Sequence, residues 1–219
     1  MTRIDGPRLP ATGGPATALV VFLHGYGADG NDLIDIGAAW QPHLPGVAFV
    51  SPHAPEPCAM SPMGRQWFPL TLRDDTERWR GVVHARPALD AFLDAERDRL
   101  GVTDDRIVLV GFSQGTMMAL HVGLRRPALA AIVGYSGLLA GPEHLDEATA
   151  RPKVTLIHGD QDQVLPVQFT FAAASALGAA GIPAEFHVSK GIGHGIDQRG
   201  LVLGLETVAG ALGIALPRR

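Results

Sequence analysis

The sequence predicts an α/β fold in which a mainly parallel, twisted sheet carries helices on both faces. Two observations lead to this prediction. Short apolar runs rich in β-branched residues recur along the chain, and longer segments with helical spacing separate them. Strands that are apolar on both sides are typical of a sheet covered on both faces, and strand–helix alternation favours parallel crossovers.

The predicted elements follow one another in a regular order. The strands are the short apolar runs at 18–23, 47–50, 106–110, 130–133, 154–157 and 184–188. The helix candidates lie between and after them, at 31–41, 77–100, 114–125, 167–180 and 196–212. Parallel neighbours need such crossover helices, so the spacing agrees with the predicted sheet.

One stretch, residues 53–76, interrupts this alternation. It is rich in proline and methionine, has no clear period, and carries Trp67 and Phe68. A long irregular insertion in a compact domain is usually functional. The alternative interpretation is a surface loop that its two aromatic side chains hold in place.

Length, charge and cysteine content narrow the class of protein. The 219 residues contain no repeat or linker, so we expect one domain, 1–219. The net charge of −4 and the lack of clustered Lys and Arg argue against a nucleic-acid partner. A single cysteine, Cys58, excludes an intrachain disulfide and fits a reducing cytoplasm. No run approaches the roughly 20 apolar residues that span a bilayer, so we predict a soluble, cytoplasmic chain without stable membrane insertion.

Residues 111–115, Gly-Phe-Ser-Gln-Gly, match the pattern G-x-S-x-G. Such a short pattern occurs by chance, but here a predicted strand leads into it and a predicted helix follows at once. This is the strand–turn–helix context of the nucleophile elbow in α/β hydrolases. We therefore predict that Ser113 is a nucleophile at a helix N-terminus, where developing negative charge is favoured. The alternative is that Ser113 only caps the helix.

A serine nucleophile needs a base, and in this fold an acid and then a histidine follow it along the chain. The loop after 154–157 carries Asp160 and Asp162, and spacing alone does not decide which of them orients the histidine and which braces the turn. His194, flanked by glycines after the run 184–188, is the predicted base. His24 and His158 precede glycines at strand ends, and we interpret them as residues that hold loops together.

An oxyanion hole needs two backbone N–H groups aimed at the tetrahedral intermediate. One donor is expected from the residue after the nucleophile, Gln114, and the other from the glycine-rich loop after the first strong strand. We predict Tyr26 for the second donor, because Gly25 and Gly27 leave its amide open to a substrate. The alternative is a tight turn followed by Asn31 as a helix cap.

These motifs together resemble the phospholipase/carboxylesterase family, which includes acyl-protein thioesterases and bacterial carboxylesterases. The matching segments are 23–30, 67–68, 111–115, 158–166 and 193–194. The resemblance implies Asp162 as the acid, Tyr26 and Gln114 as the oxyanion donors, and a homodimer. The sequence departs from the family at Tyr26, where leucine is common, and in its short, Pro- and Gly-rich N-terminal segment, where no edge strand is predicted.

The expected function is hydrolysis of short- to medium-chain carboxylic esters through an acyl-enzyme, with no cofactor and no metal. A thioesterase or lysophospholipase with the same triad, Ser113, Asp162 and His194, is one alternative, and a silent binding module is another. Activity should rise with pH near 6.5, because the base must be neutral imidazole. We expect Trp67, Phe68 and Met63 to line the groove for the acyl chain.

Overall fold

The structure is a computed structural model of the chain and describes residues 3–70 and 75–217. It contains nine strands: β1 (Arg8–Leu9), β2 (Ala18–Leu23), β3 (Val47–Val50), β4 (Glu56–Cys58), β5 (Ser61–Gln66), β6 (Ile107–Phe112), β7 (Ala131–Tyr135), β8 (Lys153–Gly159) and β9 (Ala184–Ser189). Seven of them form one sheet in the order β1-β3-β2-β6-β7-β8-β9, and β4 pairs with β5 alone. All neighbours in the large sheet run parallel except β1 and β3.

Five helices cover the sheet: α1 (Asn31–Trp40), α2 (Asp75–Leu100), α3 (Gln114–Gly123), α4 (Gln168–Ala179) and α5 (Gln198–Ala211). Alternate residues of β2 enter two different cores, as the period of a strand requires. Leu19, Val21 and Leu23 pack in the core with α2, α3 and α4. Val20 and Phe22 pack in the other core with α1 and α5. The predicted sheet with helices on both faces is therefore confirmed.

The six predicted strands and five predicted helices are present, with ends that differ by a few residues. Two parts of the β structure were not predicted. The two-residue strand β1 runs antiparallel to β3, with Arg8 opposite Val50, and is too short to show an alternating pattern. The other is the β4–β5 hairpin, which lies within the stretch expected to be irregular; residues 71–74 of that stretch fall outside the described residues.

The hairpin supports the loop that follows β2. The Gly27 N–H donates to the Arg65 carbonyl at 2.9 Å, and the Arg65 N–H donates to the Ala28 carbonyl at 2.7 Å. A Cβ atom at Gly64 would overlap the Gly27 carbonyl, so the close approach requires glycine there. The insertion therefore braces the predicted oxyanion loop.

Parallel strands gather their carboxyl ends at one edge of the sheet, where ligands of open α/β sheets bind. At this edge lie the loop after β2, the turn after β6, and the loops after β7, β8 and β9. The predicted nucleophile, acid, base and oxyanion donors all belong to these segments. Among the described residues, no helix combines the length and apolar character needed to cross a membrane.

Candidate active site

Ser113 forms the turn between β6 and α3 with an unusual backbone. Its φ of 52° and ψ of −114° lie in a region that non-glycine residues rarely adopt. Such a backbone conformation costs on the order of 1–3 kcal/mol of conformational free energy. Backbone hydrogen bonds hold it there: its N–H donates to the Tyr135 carbonyl at 2.9 Å, and its carbonyl accepts from Thr116 at 3.0 Å. The Ser113 side chain makes no capping hydrogen bond, so the alternative of a plain helix cap is not what the structure shows.

The two glycines of the motif let this turn lie close to its surroundings. A Cβ atom at Gly111 would overlap the Gly115 carbonyl, and one at Gly115 would overlap the Leu23 carbonyl at the end of β2. Because both contacts are with backbone, a side chain at either position would have to displace α3. The glycines thus bring the first turn of α3 against the predicted oxyanion loop.

Asp162 lies in direct contact with His194. The His194 Nδ1–H donates to Asp162 Oδ2 at 2.7 Å, and the Asp162 carboxyl group has no solvent-accessible surface. The other carboxylate oxygen, Oδ1, accepts from the N–H groups of Val164 at 2.8 Å and Leu165 at 2.9 Å. Burial opposes ionisation of Asp162, but the hydrogen bonds from His194, Leu165 and Val164 outweigh it and lower the pKa below its ordinary value. Asp162 is thus held as the carboxylate that a triad needs.

Asp160 has a different contact, which separates the two aspartates that spacing could not. Its Oδ1 accepts from the Gly191 N–H at 2.6 Å, at the start of the loop that carries His194. The same loop is held by a hydrogen bond from the Gln161 N–H to the Ile192 carbonyl at 2.9 Å. Asp160 therefore fixes the loop, and Asp162 contacts the imidazole.

The His194 ring lies beside the turn that carries Ser113. Its centroid is 5.0 Å from that of Phe112, the residue before the nucleophile. The next residue, Gly195, accepts a hydrogen bond from the Ser136 hydroxyl at 3.1 Å at the end of β7. The structure thus brings the three predicted triad residues to the same edge of the sheet, with Asp162 and His194 bonded to each other.

The predicted oxyanion donors, Tyr26 and Gln114, also lie at this edge. An ideal Cβ at Gly25 would be 3.4 Å from the Ser113 Cβ, so the loop runs alongside the nucleophile. None of the residues that the structure describes accepts a hydrogen bond from the backbone N–H of Tyr26 or Gln114. Two N–H groups that lie beside a serine and have no acceptor among the described residues are the arrangement that an oxyanion requires.

The Gln114 side chain ties the nucleophile turn to the insertion. Its Oε1 accepts from the Trp67 N–H at 3.0 Å, and its Nε2 donates to the Phe68 carbonyl at 2.7 Å. The Trp67 indole N–H in turn donates to the His24 carbonyl at 3.0 Å. These bonds connect the first turn of α3, the insertion and the oxyanion loop into one hydrogen-bonded unit.

His24 holds the oxyanion loop from within. Its Nε2 accepts from the Ala54 N–H at 3.0 Å, which leaves the proton on Nδ1, where it bonds the Gly25 carbonyl at 2.8 Å. Burial lowers its pKa to about 4, so the ring is neutral near pH 7. This agrees with its interpretation as a loop-holding residue.

The predicted acyl groove needs correction. Trp67 and Phe68 have no exposed surface and belong to the core with α2, α3 and α4. Met63 is 90% exposed on β5. Composition showed that the segment carries apolar side chains, but not that both aromatic rings are buried in the core.

A cavity of about 310 Å³ lies elsewhere at this edge, and the sequence reasoning missed it. Its walls are mainly apolar and come from three segments, with Thr76 and Arg78 on α2, residues 138–143 after β7, and Phe169, Ala172 and Ala173 on α4. An ideal Cβ at Gly137, the residue before Leu138, would be 2.9 Å from the Ser113 carbonyl oxygen. Leu138, which lines the cavity, therefore follows a residue that packs against the backbone of Ser113. The apolar run directly after β7 was the available signal.

Within the described part of the chain, no three His, Cys, Asp or Glu side chains are grouped to hold a metal ion.

Comparisons with known proteins agree with this geometry. The family model described as phospholipase/carboxylesterase matches residues 5–205. Esterase YpfH of Escherichia coli is 31% identical over 194 residues, which cover 88% of this chain and 82% of that protein. Acyl-protein thioesterase 1 of Schizosaccharomyces pombe is 30% identical over 171 residues, which cover 74% of this chain and 75% of that protein.

Solved structures extend the likeness. The crystal structure of esterase PE8 superposes with a TM-score of 0.93 at 45% identity, covering 96% of this chain and 100% of that one. SOBER1 of Arabidopsis thaliana gives a TM-score of 0.76 at 22% identity, covering 89% of this chain and 99% of that one, which shows a common fold. The resemblance found in the motifs is confirmed, and the chain belongs to the phospholipase/carboxylesterase family of α/β hydrolases.

Proposed function

We propose that this chain is a serine carboxylesterase that hydrolyses short- to medium-chain carboxylic esters through an acyl-enzyme on Ser113. The observation that carries the proposal is the 2.7 Å contact between Asp162 and His194 on the loop that packs beside the nucleophile turn. The membership of the chain in a family of ester hydrolases supports it.

The first step forms the acyl-enzyme. The free nitrogen of His194, Nε2, takes the proton of the Ser113 hydroxyl as the serine oxygen attacks the ester carbonyl. Asp162 keeps the proton of His194 on Nδ1 and stabilises the imidazolium. The oxyanion accepts hydrogen bonds from the N–H groups of Tyr26 and Gln114. The tetrahedral intermediate collapses when His194 returns the proton to the departing alcohol.

The second step releases the acid. A water molecule gives a proton to His194 and attacks the acyl carbonyl, and a second tetrahedral intermediate forms at the same N–H groups. Its collapse breaks the bond to Ser113, which regains its proton from His194. The cycle consumes one ester and one water and yields one acid and one alcohol.

The cavity supports the proposed chain length. Its volume of about 310 Å³ lies at the lower end of small-molecule pockets, which span about 300–1,000 Å³. Leu138, Phe169 and Ala173 give it an apolar wall suited to an aliphatic chain. We assign the acyl chain to this cavity, in place of the groove expected around Trp67.

A thioesterase is the second candidate, since the same triad attacks a thioester and the fission yeast relative is an acyl-protein thioesterase. A lysophospholipase would also use this chemistry with another leaving group. A silent binding module is disfavoured, because the chain retains both the strained backbone of Ser113 and the bonded pair Asp162–His194.

The proposal further includes a homodimer, which light scattering on the purified protein would test. It also includes a cytoplasmic location, which agrees with the free, buried thiol of Cys58.

The test is to label the protein with a serine-directed fluorophosphonate and then to assay p-nitrophenyl esters from acetate to palmitate. Wild type should label and turn over the shorter esters, Ser113→Ala should do neither, and Ser175→Ala, which changes an exposed serine on α4, should behave as wild type. An optimum at palmitate, or faster turnover of acyl-thioesters than of oxygen esters, would favour the thioesterase. A folded wild type that neither labels nor hydrolyses any ester would overturn the proposal.

A further inference from the structure

His158 is a second histidine on the triad carboxylate. It lies in β8 and is 1% exposed. Its Nε2 is 3.0 Å from Asp162 Oδ2, the same oxygen that accepts from His194. We propose that His158 is a positioning residue, which shares the Asp162 oxygen with His194 and thereby sets how strongly that oxygen holds the proton of the base. The inference rests on the proposed function.

The partners of His158 fix where its proton lies. Nε2 faces two acceptors, Asp162 Oδ2 and the Leu165 carbonyl at 2.8 Å, so Nε2 must carry a hydrogen. Nδ1 lies 2.7 Å from the hydroxyl of Thr170 on α4, which can donate to it. The neutral ring with its proton on Nε2 fits all three contacts, with that one proton shared between Asp162 Oδ2 and the Leu165 carbonyl. His158 is therefore a built donor to Asp162 and does more than hold a loop together.

The donor matters because Asp162 is buried. Its Oδ1 is occupied by two backbone N–H groups, and its Oδ2 by the two imidazole groups. If His158 gave no hydrogen bond, Oδ2 would be left with His194 alone in a site that water does not reach. A buried carboxylate oxygen with one donor fewer binds the remaining proton more tightly. His194 would then stay protonated to higher pH and work less well as a base.

Few titratable groups lie against His158 and Asp162 among the described residues. Of the described residues, the titratable groups that bond Asp162 are His158 from β8 and His194 from the loop after β9. Asp160, on the same loop as Asp162, is bonded to the Gly191 N–H. The element that packs against His158, α4, offers the uncharged Thr170. A change in the pH profile on altering His158 therefore points to the shared oxygen.

The test compares two substitutions that differ in one hydrogen bond. His158→Leu removes the donor, and His158→Gln places an amide N–H close to the position of Nε2. For p-nitrophenyl acetate, at a pH on the ascending limb, we expect His158→Leu to lower kcat about threefold with little change in KM, because a larger share of His194 is protonated. The ascending limb of its pH–kcat/KM profile should move up by about half a unit or more. His158→Gln should restore most of both.

A matched control is His121→Leu, the same substitution at another buried histidine, on α3 and outside the site. It should leave the ascending limb of the pH–kcat/KM profile at its wild-type position. If His158→Leu does not fold, Thr170→Val carries the test, since it keeps His158 but removes the hydroxyl that fixes its tautomer, and it should move the limb in the same direction by less.

Provided that wild type labels and turns over ester, two results would overturn the inference. One is an ascending limb of the pH–kcat/KM profile that stays in place in both His158→Leu and Thr170→Val. The other is a loss of kcat in His158→Leu that His158→Gln does not restore. A wild type without labelling or turnover would contradict the proposed function itself, so the two failures can be told apart.

Discussion

Asp160 and Asp162 lie two residues apart in one loop, yet they bind the segment that carries His194 at different points. Asp160 accepts from the backbone of Gly191 at 2.6 Å, and Asp162 accepts from the imidazole of His194 at 2.7 Å. One carboxylate holds the loop and the other contacts the imidazole.

This division predicts unequal effects of the same substitution. Asp162→Asn should lower kcat/KM for p-nitrophenyl acetate by about 10³-fold or more, because an amide no longer stabilises the imidazolium or holds the tautomer. Asp160→Asn keeps an oxygen for the Gly191 N–H and should cost less than about threefold. Equal losses in the two variants would show that the structure assigns the carboxylates wrongly.

The backbone of Ser113 predicts a stability effect that is separate from activity. Ser113→Ala and Ser113→Gly should both be inactive, but the glycine variant should unfold with about 1 kcal/mol more free energy than the alanine variant, because glycine accepts a φ of 52° without strain. Urea unfolding measures the difference. At Ser175, inside α4, the order should reverse, since glycine weakens a helix interior. An alanine variant as stable as glycine at position 113 would mean that the turn is not strained in solution.

The cavity predicts chain-length selectivity. Ala172 lies on α4 and lines the cavity, so Ala172→Trp should fill part of it and lower the ratio of kcat/KM for octanoate over acetate by about tenfold. The control is Ala176→Trp, one turn further along the same helix and outside the cavity lining. A ratio that falls equally in both variants, or in neither, would place the acyl chain elsewhere.

His121 predicts how stability depends on pH. Burial, with the nearby charges of Arg125 and Arg86, lowers its pKa to about 3. The folded state therefore binds fewer protons than the unfolded state, whose histidines titrate near 6.5, so stability is full above about pH 6.5 and falls as the pH drops below it. By pH 5 this site accounts for a loss of about 2 kcal/mol at most.

His121→Leu should flatten the fall in melting temperature between pH 7 and pH 5. His43→Leu, which removes an exposed ring, should keep the wild-type fall. A slope that is the same in His121→Leu and wild type would mean that the ring takes up a proton without unfolding.

The order of apolar runs was enough to predict the sheet and its helices, because a strand buried on both faces is a continuous apolar run in the sequence. That Ser113, Asp162 and His194 lie at one edge could also be predicted, since each follows a strand and parallel strands end at one edge, but the choice of Asp162 over Asp160 rested on the family resemblance. The two-residue strand β1 was not, because two residues show no period. The cavity was missed because Leu138 and Phe169 lie on separate elements and meet only in the folded chain.

Two side-chain roles also exceeded what the sequence could predict. The apolar character of Trp67 and Phe68 is evident in the sequence, but the burial of both rings, and the bonds from their backbone to the Gln114 side chain, are not. His158 was interpreted as a loop-holding residue, and its contact with Asp162 depends on a rotamer that no pattern encodes.

The carboxamide of Gln114 joins residues that are far apart along the chain. Trp67 precedes it by 47 positions, and the whole of α2 lies between them. Closing so long a loop is slow compared with forming a helix. During refolding, the helical circular dichroism signal should therefore recover before the serine becomes reactive. Reactivity toward a fluorophosphonate would then report the last step of folding.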